Sequence, residues 1–561
     1  MRNLYCVLLA FVSVASGAAY AQDLNPHVTV TNEYEGRVSD SPKEGIPMYV
    51  PDSLQVFDYS VDYSVFENPY RGSYEFHPYL VEMRPEPARR DGGKFYLNAG
   101  AGYLFHPELD MVVSPLKPGK FAFSIYDSFK GFSGAYRSQQ LDGNMVRPEG
   151  PADFGHNFDN RLGIGVDLKL KKLSFGADVA YDYLNAEDPW VFHNRHGVDA
   201  ALRVKSNDMD SSRVFYDFKL SFDGSKDYFN RTSELAVREY DTDFSALFGM
   251  RIGKHSRWAV DANVRYIDAN GCFAGSWFGL DAAPQFLLDY KRAHVKLGVR
   301  LGIVGAGHSN QVVYPDVSAD FFIIPGSLDV YAEVGGGNKA DSYFSLLKLN
   351  PYMPDDFCAS CPGFLPDNSV ERVRLKGGFR GNISPFFQYD LYAGYSSFSN
   401  ALADALYVDE DGMIMQYFKR CDYNRFDAVL KASWKSERIE IDGEFRYTDV
   451  NALRKGDNIV APAAFHGELT GTYNINDRIF FGLDVKSQSE RKGRSETWEK
   501  DETVDTNLPW YFDLGVHGEF RIDRRFSVWV KATNLLCQPV GVYLTKVERG
   551  PAVIAGICLN L

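Results

Sequence analysis

The stretch Ile439-Glu440-Ile441-Asp442-Gly443-Glu444-Phe445-Arg446-Tyr447-Thr448 alternates apolar or small residues with charged ones. Successive side chains of a strand point to opposite faces, so this segment presents one apolar and one charged face. The pattern recurs in Leu162-Gly163-Ile164-Gly165-Val166-Asp167-Leu168-Lys169-Leu170. After the Lys171-Lys172 turn it returns in Leu173, Phe175, Ala177, Val179, Tyr181 and Tyr183, opposed by Ser174, Asp178 and Asp182. It appears again where Ala293, Val295, Leu297, Val299, Leu301 and Ile303 oppose His294, Lys296 and Arg300. Asn476-Asp477 punctuates a further pair of runs, as a two-residue hairpin turn requires. Many strands of ten or more residues point to a closed sheet with lipid outside and polar groups inside, because sandwich strands average about five or six. The expectation is an all-β fold, a transmembrane antiparallel β-barrel of about twenty strands within a range of roughly 16–22, the bacterial number being even.

The ends set the compartment. Residues 1–21 carry Arg2, an apolar run from Val7 to Ala15, and Ala19-Tyr20-Ala21 ahead of Gln22, the signature of a cleaved secretory signal peptide. No later stretch of about eighteen uncharged apolar residues occurs, so a membrane role has to be carried by strands. Residues 22–92, rich in Pro, Asp, Glu and Tyr, read as an irregular periplasmic or lumen-filling extension, with the barrel over 93–561. Val553, Ala555, Ile557, Leu559 and Leu561 share one face at the C-terminus, as a closing strand requires. The full chain of 561 residues has a formal charge of −14, which becomes −15 once Arg2 leaves with the signal. That balance argues against nucleic acid, whose phosphates call for Lys and Arg. The expected location is the outer membrane of a Gram-negative cell, with outer-membrane lipids as the surroundings.

Short motifs in order, Val28-Thr29-Val30-Thr31-Asn32-Glu33-Tyr34, Asn98-Ala99-Gly100-Ala101-Gly102-Tyr103, Tyr314-Pro315-Asp316-Val317, Gly335-Gly336-Gly337-Asn338 and Leu349-Asn350-Pro351-Tyr352, resemble outer-membrane β-barrels of the Bacteroidota that are TonB-dependent-receptor-like. The resemblance implies a barrel similar to that of TonB-dependent transporters. It departs in one respect: the extension ahead of the barrel is about half as long as a plug domain and lacks its strand and helix alternation.

Candidate sites follow from the two faces. Asp178, Asp182, Lys296, Arg300, Glu440, Asp442, Glu444, Arg446, Glu519 and Arg521 are expected to face the lumen, where mixed signs favour ion-pair cross-links over a single-sign filter. Val28-Thr29-Val30-Thr31 is similar to the segment that receptors offer to TonB, which would act by adding a strand to a partner's sheet. Long polar insertions at about 134–157, 185–195, 339–370, 399–412 and 488–509 are placed at the extracellular rim. Within one of them Cys358 and Cys361 have the spacing of a local disulfide or of two free thiols. No second CxxC, HExxH, GxSxG or phosphate-cradling loop occurs, so no metal, cofactor or catalytic residue is assigned. The functional expectation is a non-enzymatic, transport-type or surface-interaction barrel with a largely filled lumen and TonB or surface lipoproteins as partners. A scaffold for surface lipoproteins is the second class, and an outer-membrane hydrolase the third.

Overall fold

The computed structural model describes residues 94–561 apart from Leu104 and short connecting stretches, of which 354–364 is the longest. The signal peptide, the 22–92 extension, Val28–Thr31, Cys358 and Cys361 lie outside the described residues.

The chain is all-β with one short helix, and 22 antiparallel strands close into a barrel. That number agrees with the expectation of about twenty and lies within its range of about 16–22. Closure joins the first strand, Phe95–Tyr103, to the last, Ala552–Asn560, from Tyr96 opposite Asn560 to Tyr103 opposite Val553. A closed cylinder satisfies every main-chain donor and acceptor that hydrocarbon would otherwise strand. The seam explains the glycines of the Asn98–Tyr103 motif. The Trp529 ring lies inside across Gly100 and Gly556, where an added Cβ would come within 2.5 and 2.4 Å of it, and its indole N–H donates to Asn98 Oδ1 at 2.6 Å.

Strand ends alternate between tight and long connections. The tight ones, such as 170–172, 291–292 and 476–478, share a rim with both chain termini of the barrel. Asn476 and Asp477 adopt φ of 54° and 56°, the left-handed pair that a two-residue hairpin needs. Short turns mark the periplasmic rim. Much of the sequence assigned to polar insertions is strand: Leu173–Glu187 and Phe192–Ser206 leave only 188–191 between them, and Phe387–Val408 pairs with Ile414–Lys435 to its tip. A hairpin ladder continues past the bilayer wherever its backbone groups still find each other, whatever the polarity of the side chains.

The two faces are physically distinct. In Ala293–Val304, Leu297, Val299, Leu301 and Ile303 are exposed on the outer wall, while Lys296 is buried with Asp316 Oδ1 2.5 Å away. In Ile439–Ala452, Ile439, Ile441 and Phe445 point out and Glu440, Asp442, Glu444 and Arg446 take the opposite face. Exposed Trp258, Tyr290, Trp434 and Tyr473 lie towards the tight-turn ends of their strands, and Tyr181, Tyr240 and Tyr266 towards the other ends, as aromatic girdles do. Val299→Arg is therefore expected to cost about 2–4 kcal/mol of folding stability in lipid. Val299→Leu, keeping the outer wall apolar, should melt like the wild type in the same denaturant titration.

Candidate functional site in the lumen and mouth

Inner-wall residues are paired strand to strand. Arg161 on the strand Ala152–Lys169 donates to Asp182 (2.9 Å) and to Asp199 (2.6 Å), and Tyr126 donates to Asp178 at 2.9 Å. On the other wall Glu444 accepts from Lys431 at 3.1 Å and from Arg446 at 2.8 Å, and Glu440 from Lys435 at 2.7 Å. Arg521 reaches Glu519 at 3.2 Å and sits over the Phe480 ring, 3.9 Å from its centroid. Arg300 runs beside Gly337. The ten residues read as lumenal are thus spread around the wall rather than gathered at one locus. Tyr314 and the Gly335–Asn338 motif do meet: the Tyr314 ring packs on Gly336, and its hydroxyl donates to Asn338 at 2.7 Å.

The residues that converge come from the insertion after the strand Leu328–Asp341. Its Tyr343–Leu349 segment forms the helix α1. Ser342 caps it, accepting from the Ser345 amide while the Ser345 hydroxyl accepts from the Ser342 amide, a reciprocal box that satisfies two end donors. Tyr343, Phe344, Leu346 and Leu347, followed by Met353 and Leu365, pack in one apolar cluster with Leu184, Val237 and Phe418, and Leu402 joins its edge. Leu184 and Val237 belong to the fifth and eighth barrel strands, Leu402 and Phe418 to the fifteenth and sixteenth. The insertion expected outside therefore turns inward and binds two separate arcs of the inner wall, because this stretch carries too many large apolar side chains to stay in water.

A buried polar latch fixes one end of it. The Tyr343 hydroxyl donates to Asp227 Oδ2 at 2.6 Å, and His193 Nδ1 lies 2.8 Å from the same oxygen. His193 Nε2 lies 2.7 Å from the Met353 carbonyl. Both ring nitrogens thus lie within hydrogen-bond distance of buried oxygens. His193 and Asp227 have no exposed side-chain surface. The Tyr343 amide donates to Glu239 Oε2 at 3.0 Å, Asn350 donates to Gln416 at 2.8 Å, and the Arg195 guanidinium lies 4.9 Å from the Phe344 centroid. None of these latch residues stood out in the sequence. The available signal was the run Tyr-Phe-Ser-Leu-Leu-Lys-Leu, helical in its apolar spacing, inside a polar insertion.

Above this lies a second apolar cluster built from long connections: Val146, Leu406, Val408, Ile414, Val460, Leu508 and Leu544. The hairpin of Gln140–Asp142 and Met145–Arg147, carried between the third and fourth barrel strands, meets the tip of the fifteenth and sixteenth, where the Leu141 amide donates to the Gly412 carbonyl at 2.9 Å. The Asp409-Glu410-Asp411-Gly412 turn spends Asp409 Oδ1 on the Asp411 and Met413 amides. Among the described residues no group of three or more His, Cys, Asp or Glu has metal-holding geometry.

No family model matches the sequence, and no curated protein matches it. Solved structures do match in fold. The ferric enterobactin receptor PfeA of Pseudomonas aeruginosa is 9% identical with a TM-score of 0.60, over 84% of this chain and 80% of that one. The siderophore receptor PirA of Acinetobacter baumannii is 10% identical, TM-score 0.61, over 83% and 80%. The FrpB iron transporter of Neisseria meningitidis is 10% identical, TM-score 0.61, over 85% and 82%. These are receptors and transporters, not enzymes. The chain has the barrel fold of that class, and identities this low carry the fold alone.

Proposed function

We propose that the protein is a transport-type barrel whose bore is closed from within by its own residues 342–353 rather than by a full N-terminal plug. One observation carries the reading: a single apolar cluster ties α1 to two arcs of wall that the circumferential order sets far apart. Passage then requires the insertion to leave the wall, and a buried latch is a device that holds one of two positions. Residues 22–92 form a periplasmic extension in this reading, and Val28-Thr29-Val30-Thr31 offers a strand edge to TonB. The inner-wall ion pairs, which include Asp182, Lys296, Glu440, Glu444, Arg446, Glu519 and Arg521, stiffen the wall that the insertion docks on.

Deletion of the gene should produce a growth defect that depends on which solute is supplied, and deletion of residues 27–33 should reproduce it. Growth loss that is the same on every solute, with a stoichiometric lipoprotein co-purifying after mild detergent extraction, would instead establish the scaffold for surface lipoproteins. The closed mouth is the observation that favours this second reading.

A further inference from the structure

The periplasmic rim is basic in a chain that is acidic overall. Its eight tight connections, 170–172, 252–255, 291–292, 325–327, 385–386, 436–438, 476–478 and 522–525, hold nine Lys or Arg and three Asp or Glu. Three are cationic doublets: Lys171-Lys172, Lys291-Arg292 and Arg524-Arg525. Lys254, Arg438 and Arg478 add single charges in other connections. All nine side chains belong to exposed residues, and none has an ion-pair partner among the described residues. Two of the three acids are placed differently, and the third, Glu437, is exposed beside Arg438. Asp523 Oδ1 accepts from the Arg525 and Phe526 amides, each at 2.7 Å, and Asp477 Oδ1 accepts from the Asn474 side chain at 2.6 Å, so both serve their own turns.

Each basic turn also adjoins outward apolar surface. Leu170, Ile252, Ile475 and Ile522 are all exposed at the same connections. Apolar and cationic groups at one height match a molecule that is itself apolar on one side and anionic on the other. Long basic side chains reach such a boundary with their stems in the apolar layer and their charges at the headgroups. At the opposite rim the turn Asp409-Glu410-Asp411 is acidic.

We propose that this rim is a binding surface for anionic phospholipid headgroups of the periplasmic leaflet, with the three doublets as its principal contacts. It concentrates phosphatidylglycerol-type lipid around the barrel and fixes the height at which the barrel sits. The proposal is independent of what the bore carries.

The test is tryptophan quenching in the full-length processed chain, reconstituted in phosphatidylcholine vesicles that contain brominated phosphatidylglycerol or, separately, brominated phosphatidylcholine. Trp258 and Trp434 are exposed near this rim and report on lipid there. Wild type should be quenched more by the anionic lipid, by a several-fold preference that shrinks as salt is raised. The combined variant K171Q, K172Q, K291Q, R292Q, R524Q and R525Q should lose the preference. K291Q with R292Q alone should lose part of it, which guards against a failure of the larger variant to fold. R454Q, K492Q and R494Q, at the opposite rim, should retain it. Equal quenching by both lipids in the wild type would overturn the proposal, as would an undiminished preference in both rim variants or an equal loss in the extracellular variant.

Discussion

Replacing residues 343–353 with a Gly-Ser linker is expected to turn a barrel of low or no conductance in planar bilayers into one with long-lived openings larger by at least an order of magnitude. The expectation rests on where the apolar surface goes. Tyr343, Phe344, Leu346, Leu347 and Met353 are buried against wall residues of separated strands, so their removal clears the space between those strands. The wall itself should survive, because its ladders run strand to strand without the insertion. Channel recording settles it. Large, stable openings in the unmodified chain would contradict internal closure, and a silent excised barrel would show that the bore is shut elsewhere.

The barrel was legible because its determinants are local. Alternation in Ile439–Thr448 or Ala293–Ile303 is set by the pleat, and lipid outside leaves little freedom in which face is apolar. The Asn476-Asp477 turn was legible for a similar reason, since few residues adopt left-handed φ twice in succession. Strand number was harder, because strands short in alternation, such as Glu108–Val113, are held by neighbours on both sides rather than by their own pattern. The candidate site was the least legible part. His193 and Asp227 lie on paired neighbouring strands, Tyr343 reaches them from an insertion far along the chain, and each alone is an ordinary polar residue. Charged residues on the inner face drew notice because they are conspicuous in alternation, yet ion pairs such as Lys296 with Asp316 knit adjacent strands and converge on nothing. Apolar content within a polar insertion, Tyr343 to Leu349, was the more informative irregularity.

Asp227→Ala should release α1 while leaving the barrel intact. Asp227 accepts from His193 and Tyr343 through one oxygen and from the Asn194 amide through the other, at 2.9 Å. Removing the carboxylate leaves buried donors without their acceptor, at about 1–3 kcal/mol for each group left unsatisfied. Tyr343→Phe removes the hydroxyl's bond to Asp227 and should cost about 1 kcal/mol. Local and global loss are distinguishable by hydrogen exchange. Amides of residues 346–350, whose bonds include Leu346 to Ser342 and Asn350 to Leu346, should lose protection in Asp227→Ala, and those of the wall strands should not. His193→Ala combined with Asp227→Ala should be less damaging than the sum of the two single changes, because the ring that Asp227→Ala leaves without its partner is then absent. Additive effects, or equal loss of protection throughout the barrel, would mean that the pair holds the wall together and has no separate hold on the helix.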